Sequence, residues 1–158
     1  GGVLVSVEGN IEQQLHQPIE QGDRRVSGHL VPQLLAAQAA MQNILGLGCW
    51  RVMRIAVHPD LRRHAIGRKL LDAVVDKART KRQDYVATSF ASSADVVDFW
   101  QANGFTLQHI GWRRDSVSGG YTAVMARPIS DATINVFNQQ NQRLRIQLPI
   151  LLAATLGN

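Results

Sequence analysis

The sequence contains little cysteine and no long hydrophobic run. Cys49 is the single cysteine, which excludes an intrachain disulfide and a zinc site built from several thiolates. This cysteine usage fits a reducing, cytoplasmic compartment. No segment reaches the roughly 20 consecutive apolar residues of a membrane span. The first residues lack the basic flank and apolar length of a secretory signal.

The phosphate-binding pattern Gly-x-x-x-x-Gly-Lys-(Ser/Thr) is also missing, so the sequence gives no sign of an ATPase of that type. The length of 158 residues and the 45% hydrophobic content fit one globular domain. The chain starts without methionine and opens directly on a strand pattern at residues 3–7. We therefore expect it to be a segment of a longer polypeptide.

The positive charge of the chain is concentrated in one segment. The formal net charge is +5, and residues 62–84 contain eight basic and three acidic side chains, which equals the whole excess. Such a segment suits a phosphorylated ligand, an RNA backbone or both. A solvated helix face is the alternative interpretation.

Apolar periodicity predicts strands alternating with helices. Residues 51–57 read as a buried strand, and apolar residues at helical spacing predict an amphipathic helix over 65–81. Ser92 or Ser93 is placed to cap a second helix, which Asn103-Gly104 would close. Further strands are predicted at 84–90, 105–112 and 121–126, the last two joined by a turn at 118–120.

The two ends of the chain are less regular. Residues 9–49 are predicted to be an insertion of loops with one or two helices, with helical composition over 34–45. Ser130 or Asp131 is placed to cap a polar C-terminal helix, and the apolar stretch 148–156 must dock on other residues. The alternation of strands and helices favours an α/β layered sheet.

The junction at residues 62–68 lies between the buried strand and the amphipathic helix. Unpaired amides at a helix start, together with the helix dipole, form an anion site. Gly67 would let a pyrophosphate approach the backbone closely. Because many strand–loop–helix units contain one glycine, the spacing alone is a moderate signal.

Two motifs resemble the GNAT superfamily of acetyltransferases. Arg62-x-x-Ala65-x-Gly67 is similar to its (Gln/Arg)-x-x-Gly-x-(Gly/Ala) pattern, and residues 99–105, Phe-Trp-Gln-Ala-Asn-Gly-Phe, are similar to its Phe-Tyr-x-x-x-Gly-Phe. Ala65 replaces a glycine, a mild departure if residue 65 keeps a negative φ. The resemblance implies the GNAT fold, a mixed central sheet flanked by helices, with the superfamily's opening strand and helices missing before Gly1.

The particular residues resemble the tRNA(Met) cytidine acetyltransferase family. Residues 54–59 (Arg-Ile-Ala-Val-His-Pro), 118–123 (Ser-Gly-Gly-Tyr-Thr-Ala) and the insertion's 24–37, with Arg-Arg-x-x-Gly-His-Leu-Val, carry this likeness. It implies a GNAT domain over residues 1–130, with the insertion at about 9–49. Residues 131–158 would form a C-terminal helical extension.

The resemblance also implies an acetyl-coenzyme A site. The backbone of residues 55–57 would pair with the pantetheine amides, and residues 62–68 would surround the pyrophosphate. Asp95 stands where the family has a glutamate, and Ala102 replaces a cofactor-contacting arginine and cannot make its contact. The cofactor-binding residues predicted in this way are Ile55, Ala56, Val57, Arg62, Arg63, His64, Ala65, Ile66, Gly67, Arg68 and Asp95.

The implied reaction moves an acetyl group from acetyl-coenzyme A to the exocyclic 4-amino group of a tRNA cytidine, at the wobble position of elongator tRNA(Met). A backbone N–H near residues 56–57 would stabilise the oxyanion. His58 and Asp95 are candidate bases, with a turn hydrogen bond or a helix cap as the competing interpretation. Trp100 replaces the tyrosine acid of many GNAT enzymes, and Tyr121 is the alternative acid.

Aromatic and basic residues could hold the RNA. Trp50, Trp100 and Trp112 could stack on a base, although packing in the core is the stronger interpretation of Trp100. Residues 112–114 (Trp-Arg-Arg) are the better RNA candidate, and the basic residues 77–82 could bind phosphates or simply complement a helix C-terminus.

The expected partners are tRNA and ATPase or helicase-like segments of the same polypeptide, which would bind ATP. We expect the chain to bind acetyl-coenzyme A but to acetylate tRNA poorly. Three alternatives stay open: a GNAT enzyme for a protein or small amine, a non-catalytic binding module, and a domain whose basic segment only binds RNA.

Overall fold

The computed structural model describes residues 1–61, 64–114 and 120–156, with backbone alone at 112–114 and 150–156. The strands are β1 Gly2–Gly9, β2 Gly48–Ala56, β3 Tyr85–Ala91, β4 Thr106–Arg114 and β5 Tyr121–Pro128. The helices are α1 His16–Glu20, α2 Leu30–Ala37, α3 Ile66–Thr80, α4 Ala94–Ala102 and α5 Asp131–Leu156. Two 3₁₀ turns lie at Gln13–Leu15 and Pro59–Leu61.

The strands form one mixed sheet in the order β1-β2-β3-β5-β4. β2 and β3 are parallel, because α3 crosses between them, and the other three pairings are antiparallel. Helices cover both faces of this sheet. The α/β fold with a mixed, helix-flanked sheet is confirmed.

Alternate residues of β2 face two separate hydrophobic cores. Cys49 packs with Val31 and Leu35 of α2 in the first core, which also contains Phe137 of α5. Val52 packs in the second core with the residues of α3 and α4. β2 therefore divides the molecule into an α2–α5 side and an α3–α4 side.

The parallel strands β2 and β3 separate towards their C-terminal ends. Their pairing runs from Cys49–Tyr85 to Val52–Thr88, whereas β2 continues to Ala56 and β3 to Ala91. On the other edge of β2, the register with β1 shifts, so that Met53 is an extra residue between the pairs Val5–Val52 and Leu4–Arg54. A bulge of this kind bends a strand and redirects its residues. The two strands therefore open into a wedge beyond Val52 and Thr88.

The insertion differs from its prediction. The expected helical segment at 34–45 is wrong in its bounds, because α2 covers Leu30–Ala37 and the chain then turns. Ala40 and Asn43 adopt φ of 52° and 64°, and this left-handed conformation ends a helix. The predicted helix at 65–81 is confirmed as α3.

The C-terminal helix α5 packs on β4 and β5. Gln140 Nε2 donates to the carbonyl oxygen of Gln108 at 3.1 Å, and Asn141 Nδ2 donates to that of Leu107 at 2.9 Å. The apolar stretch 148–156 continues α5 as far as Leu156. Among the residues that the structure describes, none of the helices combines the length and the hydropathy of a membrane span.

Candidate active site

A cleft of about 580 Å³ lies on the α3–α4 side of the sheet, where β2 ends. It is bounded by the end of β2, the start of α3 and the last turn of α4. The residues that line it are Ile55, Val57, Leu61, Ala65, Ile66, Gly67, Arg68, Phe99, Ala102 and Asn103.

The first turn of α3 borders this cleft with backbone N–H groups. The bond from Lys69 N to Ala65 O, 3.0 Å, is the first of the helix, and the amides of Ile66, Gly67 and Arg68 have no acceptor among the described residues. The N-cap residue Ala65 makes no side-chain cap bond, and the first turn of α3 holds no acidic residue. The helix dipole adds positive potential at the same place, so an anion would be bound here.

Ala65 carries a strained backbone at the entrance to α3. Its φ is 58° and its ψ is 22°, which is the left-handed conformation. The expectation that residue 65 keeps a negative φ is therefore wrong. A glycine would hold this turn without the steric cost that a Cβ brings.

Gly67 is close to the ring of Phe99. A Cβ at residue 67 would lie 3.2 Å from Phe99 Cε2 and 3.3 Å from Cζ. The contact gives this glycine a structural reason in addition to the approach of a ligand: it lets α4 pack against the first turn of α3.

Comparison with known proteins agrees with this geometry. Residues 2–77 match the family GNAT acetyltransferase 2. The chain belongs to the GNAT acetyltransferases. The GNAT domain is 41% identical over 127 residues to the tRNA(Met) cytidine acetyltransferase TmcA of Vibrio cholerae, a match that covers 80% of this chain and 18% of the relative. It is 38% identical over 151 residues to TmcA of Citrobacter koseri, with 96% of this chain and 22% of the relative covered.

The chain thus spans about a fifth of the length of these curated relatives. Among solved structures, the polyamine N-acetyltransferase of Drosophila melanogaster superposes with a TM-score of 0.54 at 16% identity, covering 80% of this chain and 68% of the other. That similarity supports the fold alone.

The GNAT domain brings most of the predicted cofactor residues around one cleft. Residues 55, 57 and 65–68 all line it, as does Ala102, the position at which the resemblance implies an arginine. Ala56 ends β2 and pairs with Gly2, and the exposed His64 also lies outside the lining. Arg62 and Arg63 fall outside the described residues.

Three residues of the cleft, Leu61, Phe99 and Asn103, are not predicted from the sequence. The sequence pattern marks Asn103 only as the end of a helix. Its Nδ2 donates to the carbonyl oxygen of Phe99 at 2.7 Å, while its buried Oδ1 has no partner in the described structure. The spacing of residues 99, 102 and 103 places them on one face of α4, and this was the signal available in the sequence.

Trp100 belongs to the core of the GNAT domain. It is 4% exposed and its ring centroid lies 4.8 Å from that of Phe105 and 5.4 Å from that of Phe99. The interpretation of Trp100 as a packing residue is confirmed. Trp50 is half-buried against the same core, and the side chain of Trp112 lies outside the described part.

The candidate acid and base residues lie outside the lining of the cleft. His58 is exposed, and its Nδ1 accepts a hydrogen bond from Asp60 N at 3.2 Å within the turn. Asp95 is exposed in the first turn of α4. Tyr121 begins β5, and its carbonyl oxygen accepts a hydrogen bond from Ser92 N at 2.7 Å, just after β3.

Proposed function

We propose that this GNAT domain transfers an acetyl group from acetyl-coenzyme A to the exocyclic 4-amino group of a cytidine in tRNA. The names of the relatives support the tRNA cytidine as acceptor, and the wobble position of elongator tRNA(Met) follows from the same resemblance. The observation that carries the proposal is that one cleft is bordered both by the end of β2, beyond its last pairing with β3, and by the α3 amides that have no acceptor among the described residues.

The residues of the cleft fit the chemistry of coenzyme A. The amides of Ile66, Gly67 and Arg68 would bind a diphosphate, and the Arg68 guanidinium adds a positive charge beside them. Ile55 and Val57 supply apolar contacts and a strand backbone that can pair with an extended amide chain. The Asn103 Oδ1 would accept a hydrogen bond from the ligand, which would remove its buried, unsatisfied state.

When bound, acetyl-coenzyme A supplies an acetyl group activated as a thioester. A backbone N–H near residues 56–57 would stabilise the developing oxyanion, since β2 is no longer paired with β3 there. The cytidine amine is a weak nucleophile, so orientation in the wedge carries much of the rate. The thiolate is a weak enough base to leave without an acid at the position of Trp100.

The proposed setting is a larger cytoplasmic protein. Because the chain spans 18–22% of the relatives cited, segments outside it would supply ATP-driven steps and part of the tRNA surface. We therefore expect this chain alone to bind acetyl-coenzyme A and to acetylate tRNA poorly.

Calorimetry with acetyl-coenzyme A tests the cofactor site. Arg68→Glu should weaken binding about tenfold because it places a negative charge beside the phosphates. Lys69→Glu makes the same change one residue further along α3, outside the cleft, and should weaken binding less than about threefold. Undetectable binding at millimolar ligand, or equal effects of the two variants, would overturn the site.

Acetylation assays test the acceptor. A mixture of tRNA, peptides and polyamines with radiolabelled acetyl-coenzyme A should give label in tRNA alone, however slowly. Label in peptides or polyamines instead would favour a different GNAT enzyme, and binding of acetyl-coenzyme A without any transfer would favour a non-catalytic module.

A further inference from the structure

A second cleft, of about 780 Å³, lies between the loop after α1, the helix α2 and the strand β2. The residues that line it are Ile19, Gly22, Arg24, Arg25, Val26, Ser27, Gly28, His29, Leu30, Gln33, Leu34, Ala37, Gln38 and Arg51. We call it the α2 cleft.

The α2 cleft lies on the opposite face of the sheet from α3, and Arg51 is the residue of β2 that lines it. Side chains alternate along a strand, so Arg51 shares the face of Cys49, which packs in the α2 core, and not that of Val52, which packs in the α3 core. Arg51 directly precedes Val52, the last residue of β2 that pairs with β3. A molecule in the α2 cleft would therefore approach the wedge from the side away from α3.

The lining of the α2 cleft is positively charged. Three arginines line it and no Asp or Glu does. Arg24 and Arg25 are exposed and form no ion pair with any described residue. The Nε of Arg51 donates to Glu8 Oε2 at 2.6 Å, and the other oxygen of Glu8, a fully buried side chain, accepts from Val31 N at 3.0 Å.

The loop that carries Arg24 and Arg25 is fixed at its base. Gln33 Oε1 accepts from Val26 N at 2.7 Å, and Gln33 Nε2 donates to the carbonyl oxygens of Val26 at 2.6 Å and His29 at 2.7 Å. His29 Nδ1 accepts from Gly9 N at 3.0 Å, which joins the loop to β1. Arg24 and Arg25 therefore lie on a loop whose backbone is fixed by hydrogen bonds.

We propose that the α2 cleft binds the single-stranded RNA segment that contains the acceptor cytidine. Arg24 and Arg25 would contact its phosphates, and Arg51 would face the acceptor nucleotide. Guanidinium groups match phosphate oxygens in charge and geometry. The acceptor would meet the wedge from one face while the cofactor enters from the other. This inference rests on the proposed function, because it assigns the acceptor side of the same reaction.

Fluorescence anisotropy with a labelled oligouridine that contains one central cytidine tests this inference. Arg24→Gln/Arg25→Gln should weaken binding about tenfold and reduce the salt slope of log K by about 1.4, as expected when two single-strand phosphate contacts are lost. Lys77→Gln/Lys81→Gln removes two charges at the far end of α3 and should change the affinity less than about twofold. Both pairs of side chains are exposed, so both variants should fold.

The affinity for acetyl-coenzyme A is measured on the same variants and separates the two proposals. The inference is supported if Arg24→Gln/Arg25→Gln loses RNA and keeps acetyl-coenzyme A. It is overturned if both double variants weaken RNA binding equally, or if a polyglutamate peptide displaces the RNA at equal concentration. If the parent chain binds RNA through Arg24 and Arg25 but does not bind acetyl-coenzyme A, the proposed acetyl transfer is wrong and the RNA site in the α2 cleft still stands.

Discussion

Thr88 Oγ1 donates a hydrogen bond to the carbonyl oxygen of Val52 at 3.3 Å, across the last rung at which β2 and β3 are paired. Both residues are buried. The bond ties the strands together directly before they separate, so the position of the wedge depends on a threonine in β3 as well as on the extra residue in β2.

Thr88→Val should lower the free energy of unfolding by about 1 kcal/mol, because it removes the hydroxyl and keeps the side-chain shape. It should also weaken acetyl-coenzyme A binding, since β2 and β3 lose the hydrogen bond that joins them where they begin to separate. Urea denaturation and calorimetry measure both quantities. Thr80→Val, which removes an exposed hydroxyl bonded to Asp76 O, is the control and should cost less than about 0.5 kcal/mol. Equal costs would contradict a special role for Thr88.

Ala65→Gly should stabilise the protein by about 1 kcal/mol, because glycine adopts the left-handed φ of this turn without the cost of a Cβ. Ala73→Gly, on the exposed face of α3, is the matched control and should destabilise by about 1 kcal/mol. Chemical denaturation of both variants decides the matter. A loss of stability in Ala65→Gly as large as that in Ala73→Gly would show that the turn is not strained.

Gly67→Ala should fail to give the gain of about 1 kcal/mol that alanine brings to a helix, and should weaken acetyl-coenzyme A binding, because the added Cβ presses on the ring of Phe99. In a Phe99→Leu background the same change should be more favourable, since the ring is no longer there to clash. A double-mutant cycle in urea measures the coupling. Additive effects would mean that the two residues do not act on each other.

His109 should make the protein less stable in mild acid. Burial lowers the pKa of His109, whose Nε2 lies 3.1 Å from Gln38 Oε1. The unfolded chain, with a histidine pKa of about 6.5, therefore takes up the proton first, and stability is lost as the pH falls below that value towards the folded pKa.

Thermal unfolding between neutral and mildly acidic pH measures this effect. His109→Gln retains an N–H donor and should flatten the dependence. A parental slope that persists in His109→Gln would assign the effect to another group.

His58→Ala and Asp95→Asn should each reduce kcat for acetyl transfer by less than about threefold, whereas removing a general base costs about 10²–10⁴-fold. The reason is that both side chains are exposed and lie outside the lining of the cleft. Steady-state kinetics on acetyl-coenzyme A and tRNA give the values. A hundredfold loss of kcat in either variant would show that the substituted residue is the general base.

The regular helices and strands could be predicted because the spacing of apolar residues shows which face of each element is buried. α3 and the strands around it follow from the apolar spacing, and two short motifs located the start of the cleft. The end of α2 could not be predicted, since the left-handed residue that closes it is Ala40, and an alanine gives no sign of that conformation.

The rest of the site depends on contacts between distant segments. Phe99 and Asn103 line the cleft because α4 packs on the first turn of α3, and a helical pattern does not identify that neighbour. The conformation of Ala65 was also hidden, since alanine is common in helices and seldom marks a left-handed turn. The α2 cleft could not be predicted without the structure, because folding brings Arg51 next to a loop more than twenty residues earlier in the chain.

Cys49 gives the molecule an internal reporter of its own opening. The thiol is completely buried and burial, reinforced by the Glu8 carboxylate, raises its pKa, so it stays protonated and unreactive while the core is closed. As the single cysteine, it can be alkylated only when β2 loses its cover of α2 and neighbouring residues. The rate of that labelling therefore measures how often the sheet and the insertion come apart, without any added probe.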